Sequence, residues 1–194
     1  MIYYANNDTF KRLSLISGEE LNHASEKLYS QSSFIESVKS SETNSFTYEW
    51  YIELFDYNKE KYLRAVHLSS LFTLYFDNIT SDFAPCIGHK IKMSLLDYFN
   101  SNPMLMECIK KLYRNSFLNF YSRIDRSMYH EPFKQITNQR KSDSDLIKLH
   151  TYNNKIDIDS LNKAVNTALR DCGVANETKF TDILTKINTS YSIV

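Results

Sequence analysis

Glycine and proline, the two residues that most often break helices and form turns, each occur only three times in 194 residues. Their usual frequencies are ~7% and ~5%. Tight β-hairpins and phosphate-binding loops favour glycine, because it adopts positive φ angles without steric cost. A chain with so few breakers suits helices better than sheets with short turns. We therefore expect an all-α fold, a single-domain bundle of about six to eight helices over residues 1–194.

Charge and cysteine content limit the classes of function. The 23 Lys+Arg balance the 23 Asp+Glu, so any contact with RNA must be local. Cys86, Cys108 and Cys172 have neither the spacing of a disulfide framework nor that of a zinc site. No apolar run reaches the length of a membrane span, and the first residues do not form a signal peptide. We expect a cytoplasmic protein with reduced thiols, no cofactor and no membrane contact.

Helical spacing of apolar residues is visible in the first part of the chain. Ser17 and Glu20 form a capping box that predicts a helix start, and the apolar stripe continues to Val38. Residues 46–76 are rich in aromatic side chains at helical spacing. This stretch predicts two helices with a junction near residues 56–58.

The middle of the chain contains the clearest helix signals. Pro85 and Gly88 mark a turn before a helix over residues 86–100. Pro103 opens a second helix, and Pro132 places its end near residue 131. The apolar stripe of that helix consists of Leu105, Cys108, Ile109, Leu112, Ser116, Phe120 and Ile124.

The last third of the chain begins with a polar segment. Residues 136–155 contain little apolar surface, which predicts a loop or a frayed helix. A helix is expected over residues 159–172, with Asp159 as its cap and Gly173 closing it in a left-handed conformation. A final short helix around Phe180 should dock on the bundle.

Common catalytic motifs are absent from the sequence. It contains no phosphate-binding loop, no Rossmann fingerprint, no H-E-x-x-H and no G-x-S-x-G. Glu20 and His23 form an E-x-x-H, which is one half of a di-iron motif. No other histidine has a glutamate three residues before it. We therefore expect no metal site, and a ferritin-like metal bundle is the weakest alternative.

The segment after residue 114 contains the residue types needed for RNA chemistry. If the helix continues through it, Arg123 and Arg126 lie on the same side as His130. Histidine exchanges a proton near neutral pH and arginine neutralises a phosphate, so together they suffice for metal-independent RNA cleavage. The alternative is a solvated helix end at which these cations complement the helix dipole.

The spacing of Arg123 and His130 resembles the R-x(4–6)-H motif of the HEPN superfamily of small helical proteins. Residues 62–71 and 89–96 are similar to segments of its abortive-infection AbiV branch. The resemblance implies an all-α protein of phage defence that acts on RNA or translation after infection. It also implies a homodimer and an activating phage or host protein.

The same resemblance assigns roles to individual residues. Arg123 and His130 of two subunits would meet across the dimer interface of a metal-independent endoribonuclease. His130 would be the general acid or base and Arg123 would hold the scissile phosphate. Arg126 or Tyr129 would position the RNA backbone.

The sequence also contains a second candidate site and allows a second class of function. His89, Lys90 and Lys92 follow Gly88 at a predicted helix start, where free backbone amides favour an anion or RNA. The alternative function is a non-enzymatic helical module that binds a phage or host protein through exposed aromatic residues. A nuclease requires Arg123 and His130 in one exposed cleft, whereas an interaction module does not.

Overall fold

The computed structural model describes residues 1–18, 49–114, 120–123, 130–169 and 173–191. This part of the chain contains both helices and strands, so the expected all-α fold is wrong and the protein is α/β. The elements in order are β1 (Ile2–Ala5), α1 (Asn7–Ser17), β2 (Glu49–Tyr57), β3 (Glu60–His67), β4 (Thr73–Phe76), α2 (Phe83–Tyr98), α3 (Pro103–Leu112), β5 (Phe120–Arg123), α4 (His130–Leu149), β6 (Thr151–Tyr152), β7 (Lys155–Ile156), α5 (Ile158–Thr167) and α6 (Asn176–Tyr191).

Five strands form a mixed sheet in the order β4-β3-β2-β1-β5. The strands β2, β3 and β4 are an antiparallel meander, whereas β1 runs parallel to both of its neighbours. Ala5 at the end of β1 lies beside Ile52 on one side and Arg123 on the other. The carboxyl ends of β1 and β5 therefore meet at one edge of the sheet.

Asparagine and lysine supply the hairpin turns that glycine usually supplies. Asn58 and Lys59 join β2 to β3 with φ angles of 50° and 70°, and Asn153 and Asn154 join β6 to β7 with 49° and 65°. Two consecutive positive φ angles are what a two-residue type I′ hairpin needs, and asparagine tolerates them better than most residues. The two helices expected over residues 46–76 are wrong, and their expected junction coincides with the first hairpin turn.

The sheet has helices on both faces, which makes a three-layer arrangement. The first face packs against α1, α2, α3 and α6, and the second against α4, α5 and the β6–β7 hairpin. Neighbouring strand residues alternate between the two sides, so Tyr3 belongs to the first core and Tyr4 to the second. All of β4 and most residues of β2 and β3 are buried, on both faces of the sheet.

The chain around Ser17 ends a helix instead of starting one. Gly18 has a φ of 71° and donates its backbone N–H to Ser14 O at 2.9 Å, a left-handed end to α1. The capping box expected to begin at Ser17 is therefore wrong. Glu20, His23 and the stripe to Val38 lie outside the described residues.

The helices in the middle of the chain match the expectations only in part. The helix over 86–100 is confirmed but begins earlier, at Phe83, so Gly88 lies inside it. A helix does begin at Pro103, capped by the side chain of Asn102. It ends at Leu112, and Phe120 already belongs to β5. The single helix expected from 103 to about 131 is wrong.

The polar segment of the last third is mostly helical. Of the loop or frayed helix expected over 136–155, the loop is therefore wrong for α4. Asp157, not Asp159, caps α5 by accepting from the Ser160 N–H. The φ of Gly173 is positive at 72°, as expected, but α5 ends at Thr167, well before it. The final helix docks through buried apolar side chains, which confirms its expected face: Phe180 and Leu184.

Candidate functional site

Helix α4 crosses the second face of the sheet in the direction of β2. Ile136 packs in a cluster with Tyr51, and one turn further along α4 the side chain of Arg140 pairs with Glu53. Further still, Leu146 lies against the cluster that includes Phe55. Successive turns of the helix thus contact successive residues of β2.

Buried charges attach α4 to the sheet. Arg64 on β3 is 1% exposed, and its Nη2 lies 3.3 Å from Asp143 Oδ2 on α4, which is fully buried. Arg64 Nη1 lies 4.0 Å from Glu53 Oε2 and donates to the Ile136 carbonyl oxygen at 3.5 Å. The other Glu53 oxygen is 2.6 Å from Nη1 of Arg140. Two carboxylates and two guanidinium groups therefore balance in charge beneath the helix.

Two tyrosines border this ionic cluster and stay protonated. Tyr75 donates its hydroxyl proton to Asp143 Oδ2 at 3.0 Å. Burial strongly raises the pKa of Tyr75, and the Asp143 charge raises it further against the opposing effect of Arg64. Burial and the charge of Glu53 also raise the pKa of Tyr51 to about 12. Neither phenol releases its proton at neutral pH.

The opposite side of α4 faces solvent and is basic. Lys134, Lys141 and Lys148 are exposed and recur every seven residues, which places them on one line along the helix. At 1.5 Å per residue the line is about 21 Å long. Arg140, whose side chain is 59% exposed, flanks it. We call Lys134, Arg140, Lys141 and Lys148 the α4 basic ridge.

Acidic groups on this helix compensate the ridge only in part. Asp145 contacts Lys148 Nζ at 3.3 Å, and both side chains are exposed. Asp143, two residues earlier, is buried against Arg64 and faces away from the ridge. Exposed polar side chains fill much of the remaining solvent side of the helix: Gln135, Thr137, Asn138, Ser142 and Ser144.

The structure places the two residues of the expected Arg–His pair in different elements. Arg123 is the last residue of β5, beside Ala5 at the carboxyl end of β1. His130 is the first residue of α4. The shared helix face expected for them is wrong, and Arg126 and Tyr129 lie outside the described residues.

The second expected site lies on α2, in the layer on the other side of the sheet. His89 is exposed, and Lys90 Nζ lies 5.1 Å from the centre of the Phe83 ring. Because α2 begins at Phe83, the free amides of the helix start lie about two turns before His89 and Lys92. The helix terminus that was expected to attract an anion to these three residues is therefore not beside them.

The described part of the chain contains no candidate metal site, two free cysteines and no membrane-spanning helix. Within the described ranges, no three His, Cys, Asp or Glu side chains are grouped so that they could hold a metal ion. Cys86 is exposed and Cys108 is buried, and this burial raises the pKa of the Cys108 thiol. None of the helices in the described part of the chain has the length and apolar character needed to cross a bilayer.

Sequence reasoning missed the ridge although its signal is present. The seven-residue spacing of Lys134, Lys141 and Lys148 is visible once residues 130–149 are taken as a helix. The ionic cluster has no comparable local signal, because Glu53, Arg64 and Asp143 come from distant parts of the chain. Compared with protein-family models and with curated proteins, the chain has no match.

Proposed function

We propose that the protein binds RNA along the α4 basic ridge. The observation that carries the proposal is the line of three exposed lysines over about 21 Å of one helix, flanked by Arg140. Phosphate groups along an RNA strand attract such a line of cations, and binding releases the counterions of the RNA. Because the net charge of the chain is zero, attraction to RNA must come from a local patch such as this one.

The buried cluster supports binding because it holds the ridge in place. Arg64, Glu53 and Asp143 connect the underside of α4 to two strands. The ridge is therefore a rigid array of charges and not a flexible basic tail, so little order must be gained when RNA binds.

Binding has more support in the geometry than cleavage has. Glu53 is held between two guanidinium groups, and both neighbouring tyrosines have raised pKa values. The two tyrosines are therefore poorly suited to proton transfer at neutral pH. For cleavage, Arg123 and His130 from two copies of the chain would meet at one site. That arrangement is what the HEPN resemblance implies.

The biological setting of the proposal rests on the sequence resemblance alone. We place the RNA binding in the bacterial cytoplasm, in defence against phage infection. A purified protein is enough to test the physical part, whereas the role in defence requires phage challenge of cells that express it.

Fluorescence anisotropy with labelled single-stranded RNA tests the binding. The variant Lys134→Glu/Lys141→Glu reverses two charges of the ridge, and Lys11→Glu, exposed on α1 in the other layer, is the matched control. We expect the double variant to weaken binding at least about tenfold and Lys11→Glu to leave it unchanged. For wild type, phosphate contacts by Lys134 and Lys141 predict a slope of log affinity against log salt of about −1.4, and the double variant should lose it.

Failure of wild type to bind RNA would refute the proposal and favour the protein-interaction module. Equal binding by wild type and the double variant would also refute it, because the contact would then lie elsewhere on the surface. RNA shortened during incubation by wild type but not by His130→Ala would add metal-independent cleavage to binding.

A further inference from the structure

Strand β4 is an edge strand of the five-stranded sheet, and among the described strands β3 is its only neighbour. An edge strand presents unpaired backbone groups to any other strand that reaches it, which promotes association of chains. In β4 these outward groups belong to Thr73 and Tyr75, because Leu74 and Phe76 alternate with them toward β3. The edge can pair with another strand only if these four groups, the N–H and C=O of each residue, are not already hydrogen-bonded.

Two asparagines on α5 bond all four groups. Asn166 Oδ1 accepts from Thr73 N at 2.8 Å, and Asn166 Nδ2 donates to Thr73 O at 2.7 Å. In the same way Asn162 Oδ1 accepts from Tyr75 N at 2.7 Å, and Asn162 Nδ2 donates to Tyr75 O at 3.3 Å. Each side-chain amide thus makes the pair of hydrogen bonds that a residue of a neighbouring strand would make.

The spacing of the helix matches the spacing of the strand. Four residues of α-helix rise about 6.0 Å, and two residues of β-strand span about 6.8 Å. Asn162 and Asn166 therefore meet Tyr75 and Thr73 in register. Asn166 Nδ2 also donates to Asn162 O at 2.8 Å, which orients the amide. Both asparagines are buried, with 7% and 0% exposure, so water does not compete for these bonds.

The protection continues beyond the end of the strand. The carbonyl of Leu71 accepts from Asn176 Nδ2 at 2.9 Å and from Gln139 Nε2 at 3.2 Å. Gln139 also donates to Thr73 Oγ1 at 2.8 Å. Side-chain amides from α4, α5 and α6 thus cover the turn that leads into β4.

We propose that α5 is an edge guard: the amides of Asn162 and Asn166 occupy the β4 edge and keep it from pairing with a second copy of this chain. The proposal is independent of RNA binding, because none of the ridge residues takes part. It predicts that removal of the two amides opens β4 to association through Thr73 and Tyr75.

The test is the variant Asn162→Leu/Asn166→Leu, which keeps side-chain size and removes the hydrogen-bonding groups. Lys163→Leu/Thr167→Leu, on the exposed side of the same helix, is the matched control. We expect the mass measured by light scattering to double relative to wild type as concentration rises, and the control to keep the wild-type mass. Hydrogen exchange of the Thr73 and Tyr75 amides should be at least about tenfold faster than in wild type at low concentration and slow again in the associated form.

Two results would overturn the proposal. One is a folded double variant that keeps the wild-type mass at every concentration. The other is association in which the Thr73 and Tyr75 amides stay exposed, because another surface would then be responsible. If the double variant does not fold, the single variant Asn166→Leu is measured in the same way. Faster hydrogen exchange is then expected at the Thr73 amide alone. The same two results would overturn the proposal.

Discussion

Arg64 and Asp143 form an ion pair across 3.3 Å in which both side chains are almost fully buried, with 2% and 0% exposure. The pair joins a strand to the underside of α4, and Glu53 and Tyr75 add further bonds to its two ends. A buried ion pair contributes modest net stability, but breaking it leaves a charge without compensation. The position of the α4 basic ridge therefore depends on residues that are buried beneath it.

Replacement of Arg64 by methionine should destabilise the protein strongly. Asp143 and Glu53 would remain buried without the guanidinium between them, which predicts a loss of about 3–5 kcal/mol in the free energy of unfolding. Urea denaturation measures the loss. Lys148→Met is the control, since its exposed pair with Asp145 should contribute less than about 1 kcal/mol. Similar losses in the two variants would show that the buried cluster does not hold α4.

The stability of the protein should fall in strongly alkaline solution. The pKa of Tyr51 is raised from 10.0 to about 12, so in this range the unfolded chain releases a proton that the folded chain keeps. The contribution of Tyr51 is fully present below pH 10 and is lost as pH rises toward 12. The variant Tyr51→Phe has no phenol that can titrate. Its free energy of unfolding should therefore fall less steeply with pH than that of wild type, by about 1.4 kcal/mol per pH unit.

Urea denaturation at a series of alkaline pH values measures this slope for Tyr51. Tyr152→Phe, with a residue that is 63% exposed, serves as the control and should keep the wild-type slope. Identical slopes for wild type and Tyr51→Phe would contradict the assignment of a buried phenol to Tyr51.

The hairpin turn between β2 and β3 can be improved by one substitution. Lys59 is exposed and has a φ of 70°, a conformation that disfavours any side chain but suits glycine. Lys59→Gly creates the Asn-Gly pair preferred in type I′ turns and should stabilise the protein by about 0.5–1 kcal/mol. The midpoint of thermal unfolding should rise. Lys61→Gly, inside β3, should lower it, and a fall in both variants would exclude the type I′ geometry.

The fold class could not be predicted from the scarcity of glycine, because the turns use other residues. Asn58, Asn153 and Asn154 adopt the left-handed conformations that glycine was expected to supply. Aromatic residues 46–76 lacked the alternation of a half-exposed sheet, because helices cover both faces of these strands. Without that alternation, a buried strand and a buried helix have similar patterns.

Some local signals predicted their elements correctly, although the cap signals at Ser17 and Asp159 did not. Pro103 marked the start of α3, and Phe180 and Leu184 marked the buried face of α6. The position of Arg64 depended instead on partners far away in the sequence. A charged residue in a strand is buried only when such partners exist, and their pairing is a property of the fold.

Residue-by-residue mapping of the RNA contact tests the central claim most directly. Backbone amide chemical shifts are recorded while single-stranded RNA is added to the whole protein. We predict that the shifts change along the exposed side of α4, at Lys134, Arg140 and Lys141, while those of Lys11 and α1 stay constant. Changes centred on His89, Lys90 and Lys92 of α2, with α4 unaffected, would contradict the account.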